Sequence, residues 1–322
     1  MTASCLQIME FLLNSPSELE ILLFDGLILI TPFKLSLILF LLFIIILWII
    51  PLTGNEGDKA ESYILILANI IGIISFILSN DLILTLLGWE LFNLSLYLLL
   101  SLNQSHSHLS SLFKYFIISA LSTSILITGI LIIYIELGST NYSTINILKF
   151  YHLEGHLLGP FFIMLSLLLK LGVAPLHNYV IDLYEKAPLH LTFYMFIIPK
   201  FSIINLMIII GCNNDICKIF GVLSFVMGSI GLFYQFNLQR FLAFSGLTHL
   251  GFILLANESS GYISYLLIYC INLLGLYLIF RKNITISHYY YSNFPLYLAI
   301  TILLLSLAGL PPLLGFFAKY II

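Results

Sequence analysis

The chain is 322 residues long, 61% hydrophobic and 8% charged, with a formal net charge of −3. Soluble domains carry about 25% charged residues, so this composition, with a mean hydropathy of +1.09, specifies an all-α polytopic membrane protein. Nucleic-acid binding is excluded for want of a basic face.

The start, MTASCLQIMEFLLNSPSELE, has no basic stretch ahead of its apolar part, so no cleavable signal peptide is expected. Residues 1–30 read as amphipathic or poorly defined, and 31–322 as one transmembrane domain. Ten spanning helices are predicted in it. The first covers about Phe33–Pro51 and ends in the polar turn TGNEGDKAES; the second covers about Tyr63–Leu78 and closes at Ser79-Asn80-Asp81. The third, about Leu82–Leu102, holds Glu90 at its centre. A polar link with His106 and His108 leads to the fourth, about Leu112–Tyr134, followed by the longest loop, about Ile135–His156. The fifth (about Leu157–Leu176) contains Lys170, and the sixth (about Leu189–Gly211) contains Lys200. The seventh spans about Ile216–Phe236, the eighth about Arg240–Ala256 with His249 inside, and the ninth about Tyr262–Phe280. The tenth starts near Pro295 and carries Lys319, which three residues follow.

Alternating the loops across the bilayer puts Lys59, Lys114, Lys186, Arg240, Arg281 and Lys282 on one side, and Lys34, Lys149 and Lys218 on the other. The richer side is then matrix or cytoplasm, with the N-terminus opposite. Four cysteines (Cys5, Cys212, Cys217, Cys270) show no metal-ligand spacing. Cys212 and Cys217 share a short loop and could pair, free thiols being the expected state. Heavy use of Ile, Leu, Phe, Tyr and Asn resembles the output of an AT-rich organellar genome.

The charged residues inside the spans carry the functional signal. Lys200 has comparable apolar runs on both sides, which places it roughly 15 Å from either end of its helix, at the bilayer midplane. A lysine there costs at least about 2.5–3.5 kcal/mol. Snorkelling, with a reach of about 6 Å of stem, suits residues near helix ends and fails for Lys200; it stands as the bland alternative for Lys170. Of fifteen acidic residues, Glu90 alone lies mid-helix. It is either a neutral acid bonded to a neighbouring helix or the countercharge to a buried lysine. Such a pair interacts by roughly 4 kcal/mol at about 4 Å and an effective dielectric near 20. Burial disfavours a charged form and an opposite charge favours it, so such a pair can take up and release a proton.

Two spans combine Gly and Pro: Lys170-Leu-Gly-Val-Ala-Pro175 and Gly309-Leu-Pro-Pro-Leu-Leu-Gly315. Each reads either as a proline kink or as an interrupted helix lining a hydrated cavity. Their recurrence, each near a lysine, suggests an inverted repeat, with a first copy at about 61–211 and an incomplete second at about 216–322.

The runs LGWELFNLSLYLL, FKYFIISALSTS, KLGVAPLHNYVIDLYEKAP, IIPKFSI, NLQRFLAFSGLTHLGFILLA and LSLAGLPPLLGFFAKY resemble, in order, the antiporter-like membrane subunits of proton-pumping NADH:quinone oxidoreductase, respiratory complex I. DLYEKAP is similar to the subunit 2 branch rather than subunits 4 or 5. The resemblance covers about Phe24–Ile322. It implies a proton-translocating antiporter-like bundle in which Glu90, Lys170, Lys200, His249 and Lys319 form a mid-membrane axis. His249 alone reads equally as a satisfied interhelical hydrogen bond. Lys114 and Arg240 match basic family positions, and snorkelling explains them equally well. Long family members have two further helices at the start and at least one at the end. The expectation is that these are absent here and that a separate chain supplies the C-terminal helix or helices beside about Pro295–Ile322. Other complex I membrane-arm subunits and lipids are the expected partners. No cofactor or metal site is expected, there being no dinucleotide fingerprint and no cysteine cluster. The expected location is the mitochondrial inner membrane, with a bacterial inner membrane the alternative. A stand-alone cation/proton antiporter subunit and a structural scaffold are the competing readings.

Overall fold

The computed structural model describes residues 20–49, 59–102, 106–145, 158–210, 215–256, 259–280 and 294–321. Residues 1–19, Lys149, Cys212, Arg281 and Lys282 lie outside the described residues. Within the remainder of the N-terminal segment, β1 (Ile21–Leu23) pairs antiparallel with β2 (Ile28–Ile30), and Ile21 faces Ile30. In the tight turn Phe24, Asp25 and Gly26 all adopt positive φ, +52°, +55° and +87°, and the Leu27 amide donates to the Phe24 carbonyl at 3.1 Å.

Twelve helices follow among the described residues: α1 (Pro32–Ile49), α2 (Lys59–Leu78), α3 (Leu82–Ser101), α4 (His106–Leu137), α5 (Leu158–Leu171), α6 (Asn178–Lys186), α7 (Leu189–Ile210), α8 (Asp215–Leu232), α9 (Leu238–Leu255), α10 (Ser259–Phe280), α11 (Phe294–Ala308) and α12 (Leu314–Ile321). Six are long and apolar enough to cross a membrane, and four shorter apolar helices complete ten hydrophobic segments, so the protein is an all-α polytopic bundle. Two boundaries differ from expectation. The polar stretch at His106–His108 is the first turn of α4, not a link. The fifth span ends at Leu171 rather than near residue 176, and a further helix, α6, follows its break.

The helices gather into two compact units. The first draws on Met1–Gln104, Phe116–Leu167 and Asn205–Ile210. Here α2 and α3 approach through glycines: a Cβ on Gly72 would lie 2.7 Å from the Phe92 backbone nitrogen, and one on Gly88 would lie 2.8 Å from that of Phe76. Small residues permit this backbone contact where lipid offers no hydrophobic gain for association. Asn69, fully buried, donates to the Phe92 carbonyl at 3.1 Å and to Ser95 Oγ at 2.9 Å across the same seam. The α2–α3 turn is tied down: Asp81 caps α3 by accepting from the Ile83 amide, and the Lys34 ammonium donates to the Ser79 carbonyl at 2.9 Å. Placing a cation on that carbonyl complements the negative end of α2. Lys34 is thus buried and bonded rather than simply marking a membrane face.

The second unit draws on Ser105–Tyr115, Leu168–Ile204 and Gly211–Ile322, and it contains both helix breaks. They are terminated alike. At the end of α5, Gly172 takes φ +70°, its amide bonds the Leu169 carbonyl, and the Val173 amide bonds the Leu168 carbonyl. At the end of α11, Gly309 takes φ +83°, its amide bonds the Ser306 carbonyl, and the Leu310 amide bonds the Leu305 carbonyl. These crossed bonds form a Schellman motif, for which glycine is suited because it alone enters the left-handed region without a Cβ penalty. Each motif is followed by a cis X–Pro bond, at Ala174–Pro175 and Pro311–Pro312. The sequence motifs are therefore true interruptions, not kinks. Elsewhere in this unit α8 and α9 pack backbone to backbone, where a Cβ on Gly251 would lie 2.8 Å from the Gly221 carbonyl.

Candidate functional site

Lys200 lies near the middle of the 22-residue α7, directly after Pro199. In the most apolar 18-residue stretch of α7, 83% of the residues are buried inside the protein, against 33% in that of α4, so α7 is walled mostly by protein. Pro199 has no N–H and leaves the Met195 carbonyl without its helical donor. The Tyr184 hydroxyl reaches that carbonyl at 3.5 Å. Lys200 itself is 4% exposed. Its ammonium rests over two ring faces, 5.2 Å from the Phe196 centroid and 5.7 Å from that of Tyr269, and no carboxylate or hydrogen-bond acceptor engages it among the described residues. Such cation–π contacts offset part of the desolvation cost without fixing the proton.

His249 sits on α9 and is also buried. Its Nδ1 forms a hydrogen bond with the Tyr265 hydroxyl at 2.5 Å, and its ring lies 4.9 Å from that of Tyr269. Gly246, one turn before it, brings α9 against Lys200: a Cβ there would stand 3.0 Å from the Lys200 Nζ. Lys319, on α12, turns back toward α11. Its stem passes over Gly309, and its ammonium donates to the Ala308 carbonyl at 2.8 Å while lying 5.0 Å from the Phe252 ring. His249 and Lys319 line one small pocket with Tyr265, Tyr269, Asn272 and Ser306, and the Ser306 hydroxyl donates to Asn272 Oδ1 at 2.7 Å.

Lys170 is 7% exposed and occupies the last turn of α5. Its ammonium lies 5.1 Å above the Tyr115 ring, which stacks on Tyr179; the Tyr179 hydroxyl donates to the Leu169 carbonyl. Lys170 and Lys319 thus serve the same position in two breaks from opposite sides. Each places a cation at the carbonyl end of the leading half-helix, where the macrodipole favours positive charge. Lys170 does so from within α5, and Lys319 by reaching back from α12.

Glu90 belongs to the first unit, half-buried at the centre of α3. Within that unit its carboxylate makes no hydrogen bond or ion pair among the described residues. One turn on, Asn93 is 1% exposed with both side-chain amide atoms unpartnered among the described residues.

The structure therefore brings Lys200, His249 and Lys319 into one neighbourhood and places Lys170 in the same unit. Lys114 and Arg240 have more than snorkelling to hold them. Lys114 pairs with Asp182 at 2.8 Å and Arg240 with Glu185 at 3.6 Å, both acids on α6, three residues apart. Sequence reasoning missed Tyr115, Tyr265, Tyr269, Asn272 and Ser306. The available signal was the recurrence of Tyr265 and Tyr269 four residues apart, and hence on one helix face, within an otherwise apolar span.

Residues 79–322 match the family described as NADH:quinone oxidoreductase/Mrp antiporter, TM. The chain is 34% identical over 292 residues to NADH-quinone oxidoreductase subunit N of Pelagibacter ubique; the match covers 81% of this chain and 61% of that relative. It is 30% identical to NADH-ubiquinone oxidoreductase chain 2 of Hyaloraphidium curvatum, over 96% of this chain and 74% of the relative. Among solved structures, a chain of respiratory complex I from Thermus thermophilus superposes with a TM-score of 0.81 at 21% identity, covering 99% of this chain and 73% of that one. A chain of an Mrp complex from Dietzia sp. superposes with 0.81 at 18% identity, covering 99% and 66%. These superpositions establish the antiporter-like membrane fold. With a family match over most of its length and relatives at 30% identity or more, the chain belongs to the NADH:quinone oxidoreductase/Mrp antiporter family of membrane proteins.

Proposed function

We propose that the protein is a proton-translocating membrane subunit of a respiratory NADH:quinone oxidoreductase of the complex I type. Protons move along Glu90, Lys170, Lys200, His249 and Lys319. The observation that carries this reading is Lys200, a lysine buried at mid-helix whose ammonium faces aromatic rings instead of a carboxylate. A structural lysine at that depth would be locked by an acid; one left on ring faces can exchange its proton with a neighbour. The relatives named as subunit N and chain 2 support the oxidoreductase assignment.

The chain carries no dinucleotide fingerprint and no cysteine cluster, so the drive comes from electron transfer in other subunits, and other membrane-arm subunits and lipids are its partners. The mitochondrial inner membrane is the proposed location, supported by the AT-rich type of composition, with a bacterial inner membrane the alternative. Subcellular fractionation tests it.

Lys200→Met is expected to assemble, because the neutral side chain suits the buried site. A general acid–base group contributes about 10²–10⁴-fold, so proton translocation in reconstituted vesicles should fall at least tenfold. Translocation equal to the parent would make the lysine structural. A second reading, a subunit of a cation/proton antiporter, is favoured by the superposition on the Mrp complex. A blue-native gel separates the two: comigration with an NADH-oxidising assembly supports the first, and its absence the second.

A further inference from the structure

Tyr269 is adjacent to two members of the proposed proton axis. Its ring centroid is 5.7 Å from the Lys200 Nζ, and its ring is 4.9 Å from that of His249. The side chain is 4% exposed, and its hydroxyl has no hydrogen-bond partner among the described residues. A buried hydroxyl left unsatisfied costs about 1–3 kcal/mol, and a ring needed only for packing would be phenylalanine.

Gly246 shows where the hydroxyl goes. A Cβ at that position would lie 3.0 Å from the Lys200 Nζ and also 3.1 Å from the Tyr269 Oη. The ammonium and the phenol therefore meet over the bare backbone of α9, at most about 6 Å apart, a gap that a direct hydrogen bond or one bridging water spans. His249, whose ring lies 4.9 Å from that of Tyr269, has its Nδ1 engaged by Tyr265, leaving Nε2 as the ring nitrogen to exchange a proton.

We propose that the Tyr269 hydroxyl relays protons between Lys200 and His249, and that Gly246 keeps the two heads close enough for it. This rests on the proton-translocating reading above. In one passage an N–H bond of the Lys200 ammonium breaks as a new O–H bond forms at Tyr269. The original Tyr269 O–H bond breaks at the same time, and its proton joins the unprotonated nitrogen of His249. The phenol ends as it began, one positive charge moves from Lys200 to His249, and no oxidant or reductant is required. Rotation of the hydroxyl resets the relay.

Tyr269→Phe removes the oxygen and keeps the ring. In the assembled complex reconstituted in vesicles, proton translocation should fall at least tenfold, in line with loss of a proton-transfer group, and the pH profile of translocation should move, which loss of packing would not cause. An assembled Tyr269→Phe complex that matches the parent in rate and pH profile overturns the relay. If Lys200→Met still abolishes translocation in that case, the proton-translocating reading survives without Tyr269; if Lys200→Met translocates like the parent, both fail together. Should Tyr269→Phe not assemble, Gly246→Ala decides. Its Cβ crowds the ammonium and the hydroxyl at once, so a lower rate with a moved pH profile supports the relay, and parental behaviour overturns it.

Discussion

Lys170, Lys200 and Lys319 are three cations handled in two ways. Lys170 and Lys319 lie at the carbonyl ends of interrupted helices, where aligned peptide dipoles help to hold a positive charge. Lys200 has no helix end beside it and rests on the faces of Phe196 and Tyr269. On this account Lys170→Met removes a titratable group from the end of α5. It should assemble and lower proton translocation by a factor within the range of about 10²–10⁴ typical of acid–base groups, as measured in reconstituted vesicles. Glu90 acts, in the proposed axis, as a charge rather than as a shape. Glu90→Gln keeps hydrogen bonding and loses the charge, so assembly on native gels should change less than turnover, and the pH–activity profile should move. A profile superimposable on the parent would remove Glu90 from the axis.

The two interrupted helices stand on glycines at left-handed positions followed by tight packing. At Gly172 (φ +70°) a Cβ would lie 2.4 Å from Val180 Cγ2, on the first turn of α6. Gly172→Ala meets two penalties: about 1–2 kcal/mol for a left-handed alanine and about 1–3 kcal/mol for overpacking. Thermal unfolding in detergent should therefore shift downward, and Val180→Ala added to Gly172→Ala should recover only the overpacking part. A Gly172→Ala protein as stable as the parent would show that the backbone there is not held as described. In the second break a Cβ on Gly309 would collide with the Lys319 stem at 2.8 Å, so the same glycine that ends α11 also makes room for the lysine that returns to its last carbonyl. Backbone geometry and the placement of charge are one device there.

Across the molecule, α6 links elements distant in the chain. Asp182 and Glu185 hold Lys114 near the start of α4 and Arg240 at the start of α9, and Gln239 donates to the Ala187 carbonyl just past α6. The Lys114 side chain is 57% exposed, and exposed pairs contribute about 0.2–1 kcal/mol. A double-mutant cycle on Lys114→Gln and Asp182→Asn should accordingly return a coupling of that order in thermal stability. A coupling several times larger would mean that the pair is shielded from water in the assembled protein.

Composition and hydrophobic run length alone determined that the chain is a helical membrane bundle, because unsatisfied backbone groups cannot face lipid and every span must therefore announce itself as an apolar run. The same physics exposed Glu90, Lys170, Lys200 and Lys319: an ion in an apolar run is costly enough to be conspicuous. The Gly–Pro clusters marked both breaks. The hairpin at Ile21–Ile30 and the helix α6 were not readable in this way, being short and carrying no long apolar run. Nor were the tyrosines. Tyr115, Tyr265 and Tyr269 are apolar enough to pass as filler in a span, and nothing local distinguishes a ring that packs from one that faces an ammonium. Which rings face Lys170, Lys200 and His249 is decided by how α4, α7, α9 and α10 are rotated and set against their neighbours, and rotation about a helix axis is a property of the packed bundle.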